Sequence, residues 1–206
     1  MNEIIDDRQK KSPEERIFRL EQQTIVLDDI DCQGYILDLG GGGTAVIGLL
    51  KGEQVISILP PRKEKESTIP GHLRMIMEAH DLKFLNNSFN LVTAFFAFMY
   101  INQSHHETVF SEIYRVLKPG GELMIWDVVL PERLDPHKDI YVVPVRVTLP
   151  EQEINTGYGQ FWPNQARDEA YYQNLAEKTG FDVLEQKTEG RVMVLKLGKP
   201  RAVVGI

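Results

Sequence analysis

One cysteine, Cys32, stands in 206 residues, which rules out an intrachain disulfide and a thiolate metal cage. No block of like charge is present, and the net charge is −7. Without a basic stripe, duplex nucleic acid is excluded as the leading partner. No apolar run is long: the longest, Phe89 to Ile101, is interrupted by Asn90 and Thr93 and falls short of the roughly 20 residues a membrane span needs. The first residues, Met1-Asn-Glu-Ile-Ile-Asp-Asp-Arg8, carry both charge signs and no apolar core, unlike a signal peptide. Internal repeats and low-complexity tracts are missing too. The expectation is a cytoplasmic chain with no membrane partner, folded as one domain over 1–206.

What is present is an alternation of short apolar runs and helical patterns. Ser12, Pro13 and Glu15 form a helix start signal. A helix is therefore expected from Pro13 to about Val26, with Ile17, Leu20 and Ile25 on its apolar side, as a helical lead-in over 1–30. Apolar runs at Tyr35–Leu39, Gln54–Ile58, Leu73–Met77, Phe89–Phe96 and Glu122–Leu130 read as strands. Between them, Thr44–Lys51 is helical. So is the stretch after Ser104, where Glu107 completes a capping box. Near-continuous apolar strands separated by helices predict a parallel sheet covered on both faces. In such sheets ligands bind beyond the carboxyl ends of the strands, where the strand order reverses.

Two extended segments then flank Pro150-Glu-Gln-Glu153, which predicts a flap or hairpin insertion over 136–164. Tyr141, Tyr158, Phe161 and Trp162 make it aromatic. It is read as a lid over a small, partly apolar pocket, with a dimer contact as the alternative. Asp168–Thr179 is helical with Gly180 as its C-cap. Phe181–Lys187 and Val192–Leu197 read as an antiparallel pair.

The chemical signal is Ile36-Leu-Asp-Leu-Gly-Gly-Gly-Gly43, a glycine run after a strand and before a helix. Glycine lets backbone approach a ligand closely, and the helix N-terminus adds free N–H groups. By itself the run marks a nucleotide-type cofactor turn. Gly40, Gly42 and Ala45 also satisfy the loose dinucleotide pattern.

Three further segments decide between cofactors. Glu78-Ala-His-Asp81 leads into Asn86-Asn-Ser-Phe-Asn90. Ser111-Glu-Ile-Tyr-Arg-Val-Leu-Lys-Pro-Gly-Gly121 forms a helix-to-strand corner, and Glu122–Val129 follows. With the glycine run, this ordered set over residues 35 to 130 resembles the class I S-adenosylmethionine-dependent methyltransferases of the type 11 methyltransferase-domain family. The resemblance implies a Rossmann-like three-layer α/β sandwich. Its seven-stranded sheet would be mostly parallel, with a reversed last strand and the order 3-2-1-4-5-7-6. The implied reaction is methyl transfer from S-adenosylmethionine to a small molecule, leaving S-adenosylhomocysteine.

By the same resemblance, Asp38, Gly40 and Gly42 meet the amino-acid part of the cofactor, with Gly41 beside it. Glu78, Ala79 and His80 lie near the adenine. Phe95 and Phe96 lie under the methionine portion and the incoming substrate. Leu59 stands where the family has an acid that grips the ribose, and leucine accepts no hydrogen bond; Glu64 and Glu66 are candidate substitutes. Thr44 replaces a glycine and is read as a helix cap. No catalytic base is assigned; Tyr100, His105 and Asp127 at the sheet edge, and His137 and Tyr158 in the flap, are the candidates. No metal is expected from His105-His106. A catalytically weak or inactive ligand-binding or protein-interaction relative is the alternative function, favoured by Leu59. An NADP-dependent oxidoreductase, suggested by Arg62, is a third. A homodimer stands open.

Overall fold

A computed structural model describes residues 12–40, 44–61 and 72–201. Seven strands form the main sheet: β3 (Ile36–Leu39), β4 (Val55–Leu59), β5 (Leu73–Ile76), β6 (Phe89–Phe95), β7 (Leu117–Val128), β10 (Asp182–Glu189) and β11 (Val192–Gly198). Their spatial order is β5-β4-β3-β6-β7-β11-β10. In sequence rank this is 3-2-1-4-5-7-6, with β11 antiparallel to both neighbours and the remaining pairs parallel. The order reverses at β3, so the carboxyl ends of β3, β4 and β6 frame the crevice where such sheets bind ligands.

The apolar patterns explain the layers. On β3, β6 and β7 successive side chains enter opposite cores, because strand side chains alternate. Leu37, Leu39, Val92, Ala94, Leu123 and Ile125 face one core. Helices α3 (His106–Val116) and α4 (Glu169–Thr179) cover it. Val109, Phe110, Ile113 and Val116 repeat at helical spacing and are buried. Gly180 ends α4 in the left-handed region at φ 93, its N–H donating to the carbonyls of Ala176 and Glu177.

The opposite core is covered by the six-residue helix α2 (Val46–Lys51) and by a second sheet. That sheet contains β1 (Ile17–Arg19), β2 (Gln23–Val26), β8 (Ile140–Thr148) and β9 (Glu153–Phe161). β8 and β9 are an antiparallel hairpin, and β1 and β2 both run parallel to β8. Tyr141, Val143, Val145 and Val147 alternate inward along β8.

The expected N-terminal helix, and with it the helical lead-in over 1–30, is therefore corrected. The capping box is real, with the Ser12 N–H donating to the Glu15 carboxylate at 2.7 Å. However, α1 covers only Pro13–Arg16. From Gln23 to Leu27 burial alternates residue by residue, the period of a strand. Thr24-Ile25-Val26 are β-branched, which suits a pleated surface. A second correction concerns α3. Asn102, rather than Ser104, supplies the cap: its side-chain oxygen accepts the Ser104 N–H at 3.1 Å at the head of a 3-10 turn leading into α3.

Gly48, inside α2, is fixed by packing. A Cβ there would lie 2.7 Å from Cε1 and 2.8 Å from Nδ1 of His72. Elsewhere Gly→Ala in a helix gains up to about 1 kcal/mol, whereas overpacking costs about 1–3 kcal/mol. Gly48→Ala is expected to lower urea-unfolding stability by about 1 kcal/mol. In a His72→Ala background the same change should become stabilising.

Candidate active site

Backbone hydrogen bonds align the strand ends into one edge. The Gly40 N–H donates to the Ile58 carbonyl at 3.0 Å, the Met77 N–H to the Leu59 carbonyl at 2.9 Å, and the Phe96 N–H to the Trp126 carbonyl at 2.8 Å. Glu78, Leu59, Gly40, Phe95 to Ala97 and Asp127 thus follow one another across the carboxyl ends. Gly40 leaves β3 at φ 77, and a Cβ on it would meet the Ala97 Cβ at 3.1 Å. Conformation and space both require glycine there. Gly41 and Gly42, like Arg62, Glu64 and Glu66, lie outside the described residues.

Asp38 is buried one residue before the end of β3. Ser57 on β4 and Thr93 on β6 are its direct register partners, so all three side chains leave the sheet on one face. Thr93 Oγ1 donates to Asp38 Oδ1 at 2.8 Å, and Ser57 Oγ donates to Oδ2 at 3.3 Å. Burial pushes the carboxyl up to about 7, against the downward pull of the two hydroxyls. These hydroxyls were not singled out from the sequence, although Ser57 and Thr93 are polar interruptions in apolar strands.

The segment after β5 is held from beneath by Arg115 on α3. Its guanidinium donates to the carbonyls of Leu82 and Phe84, each at 2.8 Å, and to Asn86 Oδ1 at 3.0 Å. It also forms a two-point pair with Glu112 at 2.7 Å, and Glu112 accepts the Leu82 N–H at 2.9 Å. This clamp fixes the loop carrying Glu78, Ala79 and His80 at the edge. Glu78 is exposed, Ala79 and His80 half-buried. The His80 ring lies 4.3 Å from that of His105. Leu59 is half-buried at the end of β4.

The β8–β9 hairpin folds back over this edge. Tyr158 stacks on Phe96 at 4.5 Å and 6°. The Tyr100 hydroxyl accepts the Gly159 N–H at 3.2 Å. Thr44 and Thr156 hydroxyls meet at 2.7 Å. Thr44 therefore ties down the hairpin and is not a cap; Ala45 holds the N-cap position of α2 with φ 45. Phe96 has φ 50, an outlier for a bulky residue, and such strain collects at functional sites. Phe95 is buried against Trp126, Phe96 and Tyr158.

Among the candidate bases, Asp127 is buried near the end of β7 and accepts the Tyr172 hydroxyl. His137 is exposed, its backbone N–H donating to Asp135 Oδ1 at 2.8 Å. His106, considered in the sequence only as half of the His105-His106 pair, is buried between Tyr171 and the Ile101 carbonyl. Burial pushes it down to about 4, so it is a neutral structural imidazole at physiological pH. Among the described residues, no three His, Cys, Asp or Glu side chains gather as a metal site.

A seven-stranded sheet in this order, with its glycine turn at the reversal point, defines the class I methyltransferase fold. Residues 37–125 match the methyltransferase-domain family, and the fold is the one found in solved S-adenosylmethionine-dependent methyltransferases. Curated relatives include ubiquinone/menaquinone biosynthesis C-methyltransferases. The one from Pseudoalteromonas translucida is 34% identical over 126 residues, 54% of this chain and 49% of that protein. The one from Hydrogenovibrio crunogenus is 31% identical over 125 residues, 53% and 48% of the two chains. The match thus spans about half the length of these relatives. Among solved structures, a Methanosarcina mazei S-adenosylmethionine-dependent methyltransferase has TM-score 0.55 at 15% identity, covering 84% of this chain and 95% of that one. The [4+2]-cyclase SpnF has TM-score 0.56 at 15% identity, covering 84% and 77%.

A carboxyl raised to about 7 in the fold, from 3.8, binds a proton that the unfolded chain has released. Its contribution to stability is complete below about pH 4 and is lost as pH rises through 7. Asp38→Asn, which cannot ionise, should therefore gain stability relative to the parent as pH increases. The expected difference is about 2 kcal/mol between pH 5 and pH 8, read from urea melts at each pH.

Proposed function

We propose that this protein transfers the methyl group of S-adenosylmethionine to a small-molecule acceptor bound between the carboxyl edge of the main sheet and the β8–β9 hairpin. The observation that carries this reading is the side-by-side placement of Gly40, Leu59, Glu78 and Phe95 along one edge, with the Gly40 turn packed too closely on Ala97 for any larger residue. The residues present fit the cofactor at two of its three parts. The Gly40 turn and Asp38 would take the amino-acid end, and the loop of Glu78, Ala79 and His80 the adenine. At the ribose position Leu59 offers no acceptor.

The cofactor supplies an activated methyl on a sulfonium centre. The chain's own task is then alignment and exclusion of water. Phe95, Phe96 and Tyr158 form an aromatic wall beside the transfer point and keep it dry. The hairpin, tied down at Thr156, Tyr158 and Gly159, closes the acceptor side.

The cyclase among the structural neighbours makes a second reading concrete, since the fold alone does not select the chemistry. Leu59 favours a weakly active or inactive ligand-binding relative. Calorimetric titration with S-adenosylmethionine, S-adenosylhomocysteine and NADPH decides. Methyltransferase function requires binding of the first two and not the third; absence of binding at millimolar concentration would end this reading. Leu59→Asp restores a charged acceptor worth about 1.5–3 kcal/mol and should tighten S-adenosylhomocysteine binding by roughly tenfold to a hundredfold.

A further inference from the structure

Three neighbouring residues of β9 reach three different points on the carboxyl edge of the main sheet. Thr156 meets Thr44, hydroxyl to hydroxyl, at 2.7 Å. Tyr158 stacks on Phe96 at 4.5 Å. The Gly159 N–H donates to the Tyr100 hydroxyl at 3.2 Å. Thr44 stands between the Gly40 turn and α2, on the cofactor side of the crevice. Phe96 and Tyr100 stand beyond β6, on the other side. β9 therefore bridges the crevice, and Thr156 is joined to the segment that follows the cofactor turn.

β9 owes its position to these contacts more than to burial. Its residues alternate between exposed and half-buried, and none is fully buried. Its partner β8 buries Tyr141, Val143, Val145 and Val147 in the core. Glycine inside a strand also loosens it. At Gly157, next to Tyr158, the nearest atom to an added Cβ lies 3.6 Å away, so packing does not demand glycine there. β8 is thus the fixed strand of the hairpin and β9 the pliable one. Where a strand has little buried surface, its anchor points set its position.

Resting on the methyltransferase reading above, we propose that Thr156 is a positioning residue for the cofactor. Through Thr44 it holds the Gly40 turn against β9, so that filling the cofactor end of the crevice and closing its acceptor end are coupled. With Thr44 fixed at an occupied turn, Thr156 is fixed as well. Two residues further on, Tyr158 is then set on Phe96 beside the transfer point. Coupling of this kind is reciprocal: what favours the closed β9 favours cofactor binding by the same factor. The acceptor pocket gains its aromatic wall when the methyl donor is in place.

The probe is S-adenosylhomocysteine, titrated calorimetrically into the full chain, with amide hydrogen exchange of β9 followed in parallel. Thr156→Val keeps the shape and removes the hydroxyl. It should weaken binding by roughly twofold to tenfold, the worth of one such hydrogen bond. Thr156→Ser keeps the hydroxyl and should bind as the parent does. Thr44→Val should weaken binding as much as Thr156→Val. The double variant should lose no more than either alone, the non-additivity of residues in contact. S-adenosylhomocysteine should slow exchange of β9 in the parent and have little effect on it in Thr156→Val. A hydroxyl with a merely structural role would lower the urea midpoint and leave affinity unmoved. That result, or additive losses in the double variant, overturns the proposal. If the parent binds no S-adenosylhomocysteine, the methyltransferase reading falls instead. The link itself is then judged without ligand: faster exchange of β9 in Thr156→Val than in the parent supports it, and equal rates overturn it.

Discussion

Gly40 and Ala97 nearly touch, and the rest of the site follows from that contact. Closing β3 against the chain leaving β6 at this distance requires a residue with no Cβ and a positive φ. The turn falls where the strand order reverses, so the backbone bends away just where β4 and β6 diverge. Their ends, carrying Leu59 and Phe95 to Ala97, become the two sides of one crevice. A side chain at position 40 would push these sides apart and disturb every distance measured across the edge.

The central strands were legible from the sequence because burial on both faces leaves them almost wholly apolar. Leu91-Val92, Val55-Ile56 and Leu123 to Trp126 needed no partner to be recognised as strands. The glycine run, the Glu78-Ala79 loop and the Lys118-Pro119-Gly120-Gly121 corner were legible as an ordered set. The segment from Ile17 to Val26 was misread because its local signals are those of a helix start, while its partner strand β8 begins 123 residues after Ile17. Tertiary pairing overrode local propensity there.

The polar interior was the least legible part. Asp38 is held by residues 19 and 55 positions away in sequence, and neither is remarkable alone. Arg115 was visible only as part of the Ser111–Gly121 motif; that it supports the loop on its far side depends on where residues 82 to 86 return in space. Asp127 was legible as a candidate base at the sheet edge, but its hydrogen bond from Tyr172 on α4 joins residues 45 positions apart in sequence.

The placement of β11 bears on how the chain comes to be folded. Among the described residues it is the last of eleven strands in sequence, yet it lies inside the sheet between β7 and β10. While the chain is being synthesised, β7 must therefore wait with its Trp126 and Leu123 edge unpaired until residues 192 to 198 have emerged. The second sheet has the same delay, since β1 and β2 leave the ribosome long before β8. Such non-local pairing slows folding and exposes strand edges meanwhile. β10, which occupies the outer position, is exposed on both faces, carries Lys187 and contains a register shift between Val183 and Glu185. Those are features that discourage the finished edge from recruiting another chain.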